Sequence, residues 1–213
     1  VFTGVDTRQK NAIPIGELHI LLNKDPQSEK LRRTQAIANL LFQFCGMPFS
    51  DLAHLEKSNL KQGLLKYNRL KTGTPMSIEV LESAHNAIGG LYNKTDARSP
   101  DYPDYLFRIL SGAYKRDEEE AYREYQSALR RFNNDLKSLS RKLRISSSVT
   151  SYTLRHSWAR TAKYRGVPIE MISESLGHKS IKTTQIYLKG FELEERTKVN
   201  KLNYSYVCSF KMF

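Results

Sequence analysis

The sequence predicts a mainly α-helical fold that carries one small antiparallel β-sheet. Three observations lead there. Apolar residues recur at steps of three and four in several windows of helical length. One pair of short strand-like runs flanks the turn Lys71-Thr72-Gly73-Thr74. No internal repeat or low-complexity tract breaks that pattern.

Each element follows from its residues. Residues 1–26 contain the breakers Gly4, Asp6, Pro14 and Gly16, and read as a linker or strap. Ser28 is an N-cap for a helix over 28–44, with Ala36, Ile37, Leu40, Leu41 and Phe44 on one face. Residues 51–55 form a short helix. Residues 64–69 and 75–80 read as two antiparallel strands, and 79–92 as a helix. A polar loop with Pro100 and Pro103 covers 93–104. A long helix over 116–143 follows, with Ala121, Tyr125, Leu129, Phe132, Leu136, Leu139 and Leu143 as its apolar stripe. Two shorter helices close the core. One runs over 153–165 with Leu154, Trp158 and Ala162 inward, and one over 168–176 with Ile169, Ile172 and Leu176 inward. Gly166 stops the first and Pro168 suits the first turn of the second. Gly177 ends the second and turns His178 off its apolar face. A further helix is expected over 191–202, then an alternating tail over 204–213.

Composition narrows the function classes. With 39% hydrophobic residues in 213, the chain supports one sizeable core and a second small lobe. The net charge of +12 favours polyanions, nucleic acid above acidic small molecules. Arg130, Arg131, Lys137, Arg141, Lys142 and Arg144 crowd the last half of the long helix. They are either a solvated face that suits the helix dipole or a ridge that tracks phosphates. Two cysteines, Cys45 and Cys208, are too few for a disulfide framework, and no Cys/His group has zinc spacing. Cys45 sits in an apolar run and reads as a small core residue. No apolar run approaches 18 residues, and no signal peptide is evident, so no membrane is expected and the compartment is expected to be cytoplasmic.

The chemistry concentrates near the C-terminal end. In order stand Leu154-Arg155-His156-Ser157, Leu176-Gly177-His178 and Thr183-Thr184-Gln185-Ile186-Tyr187. A phenol can attack phosphorus, and a guanidinium and an imidazole can hold the charge that develops on its oxygens. Arg155 is expected in the first turn of its helix, where backbone N–H groups already favour an anion. Neither a metal site nor a Gly-rich phosphate loop with Lys and Ser/Thr is present in the sequence.

This ordered set resembles the tyrosine recombinase, or phage integrase, family. The resemblance is dense over 152–188. It also reaches Gly46-Met47-Pro48-Phe49-Ser50-Asp51-Leu52, which follows the family's G-L-R-x-S-E-L except that Pro48 stands where its first catalytic arginine belongs. Tyr152 takes the place of the histidine in H-x-x-R. The resemblance implies the catalytic-domain fold of DNA breaking-rejoining enzymes. Tyr187 would be the nucleophile that forms a 3′-phosphotyrosyl link, with Arg155 and His178 on the phosphate and Lys71 of the hairpin protonating the leaving 5′ oxygen. No cofactor is then needed. Tyr152, Arg69 and Asp51 are candidate substrate-binding or supporting residues, although for Asp51 a helix cap is slightly favoured. His156 and Trp158 are expected to pack behind the site.

The same resemblance implies double-stranded DNA as substrate and a homo-oligomer on it, a tetramer in the synapse. Accessory DNA-bending proteins and a nucleoid-associated location also follow. Residues 1–26 would then lead from an absent N-terminal DNA-binding domain. Residues 27–190 would be the catalytic domain, and 191–213 a helix and tail able to dock in trans. Pro48 leaves three outcomes open. Another basic residue, such as Arg69 or one from a partner chain, supplies the charge; the enzyme is slow; or the chain is a catalytically impaired DNA-binding or architectural protein that keeps the fold.

Overall fold

The computed structural model of the chain describes residues 12–116, 118–188, 197, 200–202, 204 and 205. Among them the order is α1 (Ile15–Asn23), α2 (Glu29–Gln43), α3 (Phe49–Ala53), β1 (Leu60–Lys61), β2 (Leu64–Asn68), β3 (Pro75–Glu79), α4 (His85–Leu91), α5 (Glu119–Leu143), α6 (Ser151–Tyr164), α7 (Ile169–Ser175) and α8 (Ile181–Tyr187). The mainly helical fold with a small antiparallel sheet is as expected from the sequence.

Helix α2 is central. It packs against α1, α4, α5 and α6, and buries Ile37, Ala38, Leu40 and Leu41. Helix α5 lays Phe132, Leu136, Leu139 and Leu143 into the same core, the stripe that its three- and four-residue steps predict. Phe49 opens α3 and stacks on Phe132 with centroids 4.8 Å apart, which pins α3 to α5. A second, smaller apolar cluster holds Ala159 and Ala162 of α6 against Ile172 and Leu176, with Trp158, Val167 and Leu188 at its margin. It joins α6, α7 and the end of α8.

The sheet has strand order β1-β2-β3, with Leu65 opposite Ile78 and Tyr67 opposite Met76. Strand β1 has two residues, too few to show alternation in sequence. The two-residue period of β2 puts Leu65 and Tyr67 on the inner face. Arg69 continues it inward, because its N–H donates to Thr74 O at 2.9 Å and keeps the hairpin closed.

Several expectations are corrected. Residues 15–23 are a helix and not a strap: Pro14 occupies the N-cap position, and Leu18 and Leu21 are buried. A proline there starts a helix without losing an internal hydrogen bond. Residues 79–92 divide into the end of β3, a 3₁₀ turn at Glu82–Ala84 and α4. Asp51 does not cap α3: Pro48 holds that position, and Asp51 lies inside the helix with its side chain turned into the core. Arg155 is the fifth residue of α6, one turn beyond the exposed N–H groups, because Thr150 caps the helix and it starts at Ser151, two residues before 153. The helix end therefore does not serve as its anion site. The helix expected over 191–202 and the tail over 204–213 fall mostly outside the described residues.

Candidate active site

The site is built where three loops meet. Helix α2 ends at Phe44, and the chain reverses through Cys45 and Gly46, both in the left-handed region at φ 56° and 64°. A Cβ on Gly46 would lie 3.1 Å from Trp158 Cβ and 3.4 Å from the Arg155 Cα. Only glycine lets this loop approach α6 so closely. Helix α7 ends in the same manner. Gly177 (φ 64°) donates to Glu174 O at 2.8 Å, and His178 N–H donates to Ser173 O at 3.0 Å. This paired closure leaves the Leu176 carbonyl pointing out of the helix end without an intrahelical donor. The β2–β3 turn is the third loop. Thr72 Oγ1 donates to Gly177 O at 3.5 Å, so the turn rests on the α7–α8 junction.

Arg155 bridges two of these loops. It is buried, with Nη1 donating to Gly46 O at 2.8 Å and Nη2 to Leu176 O at 2.6 Å. Its Nη2 also lies 3.2 Å from His178 Nε2. The N-terminus of α6 that carries it is fixed twice. Thr150 and Thr153 cap each other reciprocally, and Ser151 N–H donates to Asn133 Oδ1 of α5 at 2.9 Å.

Arg69 enters the same place from the hairpin. It is 6% exposed, and its Nη1 donates to the same Leu176 carbonyl. Its Nε stands 2.7 Å from Asp51 Oδ2. The two atoms form an ion pair without a hydrogen bond between them, so charge rather than alignment holds them. Burial pushes the Asp51 carboxyl above the ordinary carboxylate range, and Arg69 opposes that shift. Arg69 and Arg155 thus meet on one backbone oxygen.

His178 completes the cluster. Burial and the neighbouring Arg155, Arg69 and Lys71 pull its imidazole down to about 4, so the ring is neutral at pH 7. Its Nδ1 lies 2.8 Å from Thr184 Oγ1. Lys71 is exposed on the turn, close enough to His178 to act on its charge. Beside them a cleft of about 260 Å³ opens, lined by Thr74, Pro75, Glu170, Glu174, His178 and Ser180 among others.

The fold therefore brings together Arg155, His178, Arg69 and Asp51, with Lys71 at the edge. Tyr152, three residues before Arg155 on α6, is 44% exposed and set edge-on to His156 with centroids 4.5 Å apart. Trp158 packs in the small cluster behind the site, as expected. Tyr187 is the last residue of α8, and its side chain lies outside the described residues. Sequence reasoning gave no role to Thr184, which is fully buried, nor to the Leu176 and Gly46 carbonyls. The threonine lies within the motif that carries Tyr187, whereas a backbone carbonyl leaves no residue-type signal.

Comparison with known proteins places the fold. The phage integrase family profile matches residues 17–193. Tyrosine recombinase XerA of Pyrococcus furiosus is 31% identical over 152 residues, 70% of this chain and 48% of its own length. The probable integrase/recombinase protein MJ0367 of Methanocaldococcus jannaschii is 26% identical over 201 residues, 91% of this chain and 57% of its own. The chain thus spans about half the length of these relatives. The crystal structure of XerA recombinase superposes with a TM-score of 0.63 at 22% identity, covering 93% of this chain and 66% of that one. The Tn1549 transposon integrase in complex with a circular intermediate DNA gives 0.63 at 15% identity, covering 92% of this chain and 67% of that one. These two likenesses show a shared fold. The family profile spans most of the chain, and with it the chain belongs to the phage integrase family, the tyrosine recombinases.

Proposed function

We propose that this chain carries the catalytic domain of a site-specific DNA recombinase or integrase that cuts and rejoins strands through a 3′-phosphotyrosyl intermediate. One observation carries the reading: two buried guanidinium groups and a neutral imidazole converge on the loop from which the helix bearing Tyr187 departs. That is a preformed anion site beside a phenol-bearing helix.

In the proposed step the Tyr187 oxygen attacks phosphorus, and the bond from phosphorus to the 5′ oxygen breaks. Arg155 and Arg69 bear the charge on the non-bridging oxygens. Neutral His178 is in the form that accepts a hydrogen bond or proton from a phenol. Lys71 on the turn gives a proton to the departing 5′ oxygen. The second strand's 5′-hydroxyl then reverses the sequence. Arg69 takes over the charge lost at Pro48, and Asp51 holds it by the ion pair. Tyr152, in the place of the family's histidine, offers its hydroxyl as one hydrogen-bond donor to the DNA. DNA-bound relatives such as the Tn1549 transposon integrase and the lambda integrase dimer on a core site support double-stranded DNA as partner and an oligomer on it. Residues 1–26 and 191–213 flank the catalytic domain at 27–190 in this reading. In the same reading the assembly on DNA is a tetramer, accessory bending proteins assist it, and it works at the nucleoid.

Pro48 favours a second reading, a catalytically impaired DNA-binding protein. Proline offers neither charge nor N–H, and losing one oxyanion donor costs roughly 10²–10³ in rate. Incubation with a suicide DNA substrate separates the two. The recombinase forms a covalent adduct that Tyr187→Phe abolishes and Arg69→Ala slows by about 10²-fold or more. Salt-sensitive binding without any adduct supports the impaired protein, and an undiminished adduct in Tyr187→Phe rejects the nucleophile.

A further inference from the structure

We propose that Thr184 is a positioning residue that sets the tautomer of His178 and ties the nucleophile's helix to the anion-binding groups. The proposal rests on the recombinase reading for its functional consequence, but its structural content stands alone. Arginine has only donors to offer. The 3.2 Å contact from Arg155 Nη2 therefore needs a bare, accepting Nε2 on His178. A neutral imidazole with a bare Nε2 carries its proton on Nδ1. That proton points at Thr184 Oγ1, 2.8 Å away, which accepts it.

Thr184 suits this role by its placement. It is fully buried in α8, one turn before Tyr187. The same bond therefore fixes the ring and anchors the helix whose last residue is the tyrosine. Without the Thr184 acceptor only the Arg155 donor still favours a proton on Nδ1, and the loss of the buried Nδ1–H bond opposes it. A proton on Nε2 would face the Arg155 amino group, donor against donor. The preferred ring state would then be lost even though both arginines stay in place. Partners of metal-bound histidines that fix the tautomer through the second nitrogen typically matter by about ten- to a hundredfold, and the same scale is expected here.

The test uses the 213-residue chain with nitrogen-15 histidine. The His178 ring signals are assigned by their loss in His178→Asn. Wild type and Thr184→Ser should show a protonated Nδ1 and a bare Nε2 at neutral pH. Thr184→Val, which keeps the shape and removes the hydroxyl, should move the proton onto Nε2 or give a mixture. On the suicide substrate Thr184→Val should cleave about ten- to a hundredfold more slowly, with Thr184→Ser close to wild type. A wild-type ring protonated on Nε2 overturns the proposal, and needs no variant to fold. So does an unchanged tautomer, or an unchanged cleavage rate, in Thr184→Val. If the wild type forms no adduct, the recombinase reading fails, while the ring spectrum still decides the role of Thr184.

Discussion

Arg69 and Asp51 are the residues whose pairing the environment makes most costly to disturb. Both are almost fully buried and 2.7 Å apart. Replacing Asp51 with Asn keeps the shape and strands the Arg69 charge in the interior. We expect a loss of about 3 kcal/mol in urea unfolding, within the range for breaking a buried pair. His178 makes a second prediction. Its ring is pulled to about 4 when folded, below its ordinary value of 6.5. Between those values the unfolded chain binds a proton that the folded chain does not. Stability contributed by the neutral ring is therefore complete above pH 6.5 and falls as the pH drops toward 4. Urea midpoints across that window should fall more steeply in wild type than in His178→Asn, where this group no longer titrates. The sequence marked Arg155 and His178 by motif, and Arg69 as one of several candidates. That Arg69 reaches the pair was not legible, because an arginine two residues from the hairpin lysine looks like any exposed strand-end cation. The alternation of Leu65, Tyr67 and Arg69 was the available signal. The predicted cap at Asp51 failed because a carboxylate near a helix start ordinarily meets backbone N–H groups, and here a guanidinium 18 positions later takes it instead.

Loop closure is what makes the elements into a site. The α7–α8 turn depends on Gly177 at φ 64°, where an added Cβ would lie 2.8 Å from Met76 Sδ and 3.0 Å from Arg69 Cγ. Gly177→Ala should therefore strain the backbone by about 1–2 kcal/mol and push on the arginine at the same time. A thermal melt checks the first effect and a loss of cleavage rate the second. The helix ends around this turn were readable, since Gly166, Pro168 and Gly177 punctuate the pattern as such residues do. Helix α1 was not, because Pro14 and Gly16 signal a break as strongly as they signal a start. Its burial against α2 is a tertiary contact, and the bonds from Ser146 and Ser147 to Glu17 come from 129 and 130 positions away.

At the scale of the molecule the core and the charge act separately. Leu136 lies fully buried on α5, and Leu136→Ala should cost about 2–5 kcal/mol while leaving the urea m-value unchanged. The basic excess belongs to the surface. Arg130, Lys137 and Arg141 fall on one line of α5 by helical spacing and all are exposed. If these three meet phosphates, replacing them with Ala reduces the slope of log K against log salt on duplex DNA by about 2.7. Fluorescence anisotropy over a sodium chloride series reads that slope, and an unchanged value assigns the ridge to plain solvation. Among the described residues no helix is long and apolar enough to cross a membrane.

Local sequence alone determined the helical class, the hairpin, most element boundaries and the order Arg155, His178, Tyr187. Periodicity, capping and turn residues act over a few positions, so they are written where they act. The tertiary structure alone decided which groups meet in the candidate site. Arg69 and Arg155 meet at the carbonyl of Leu176, from 107 and 21 positions away. That meeting depends on how α2, the hairpin and α7 pack, and a backbone oxygen exposed by a helix end carries no residue letter to announce it.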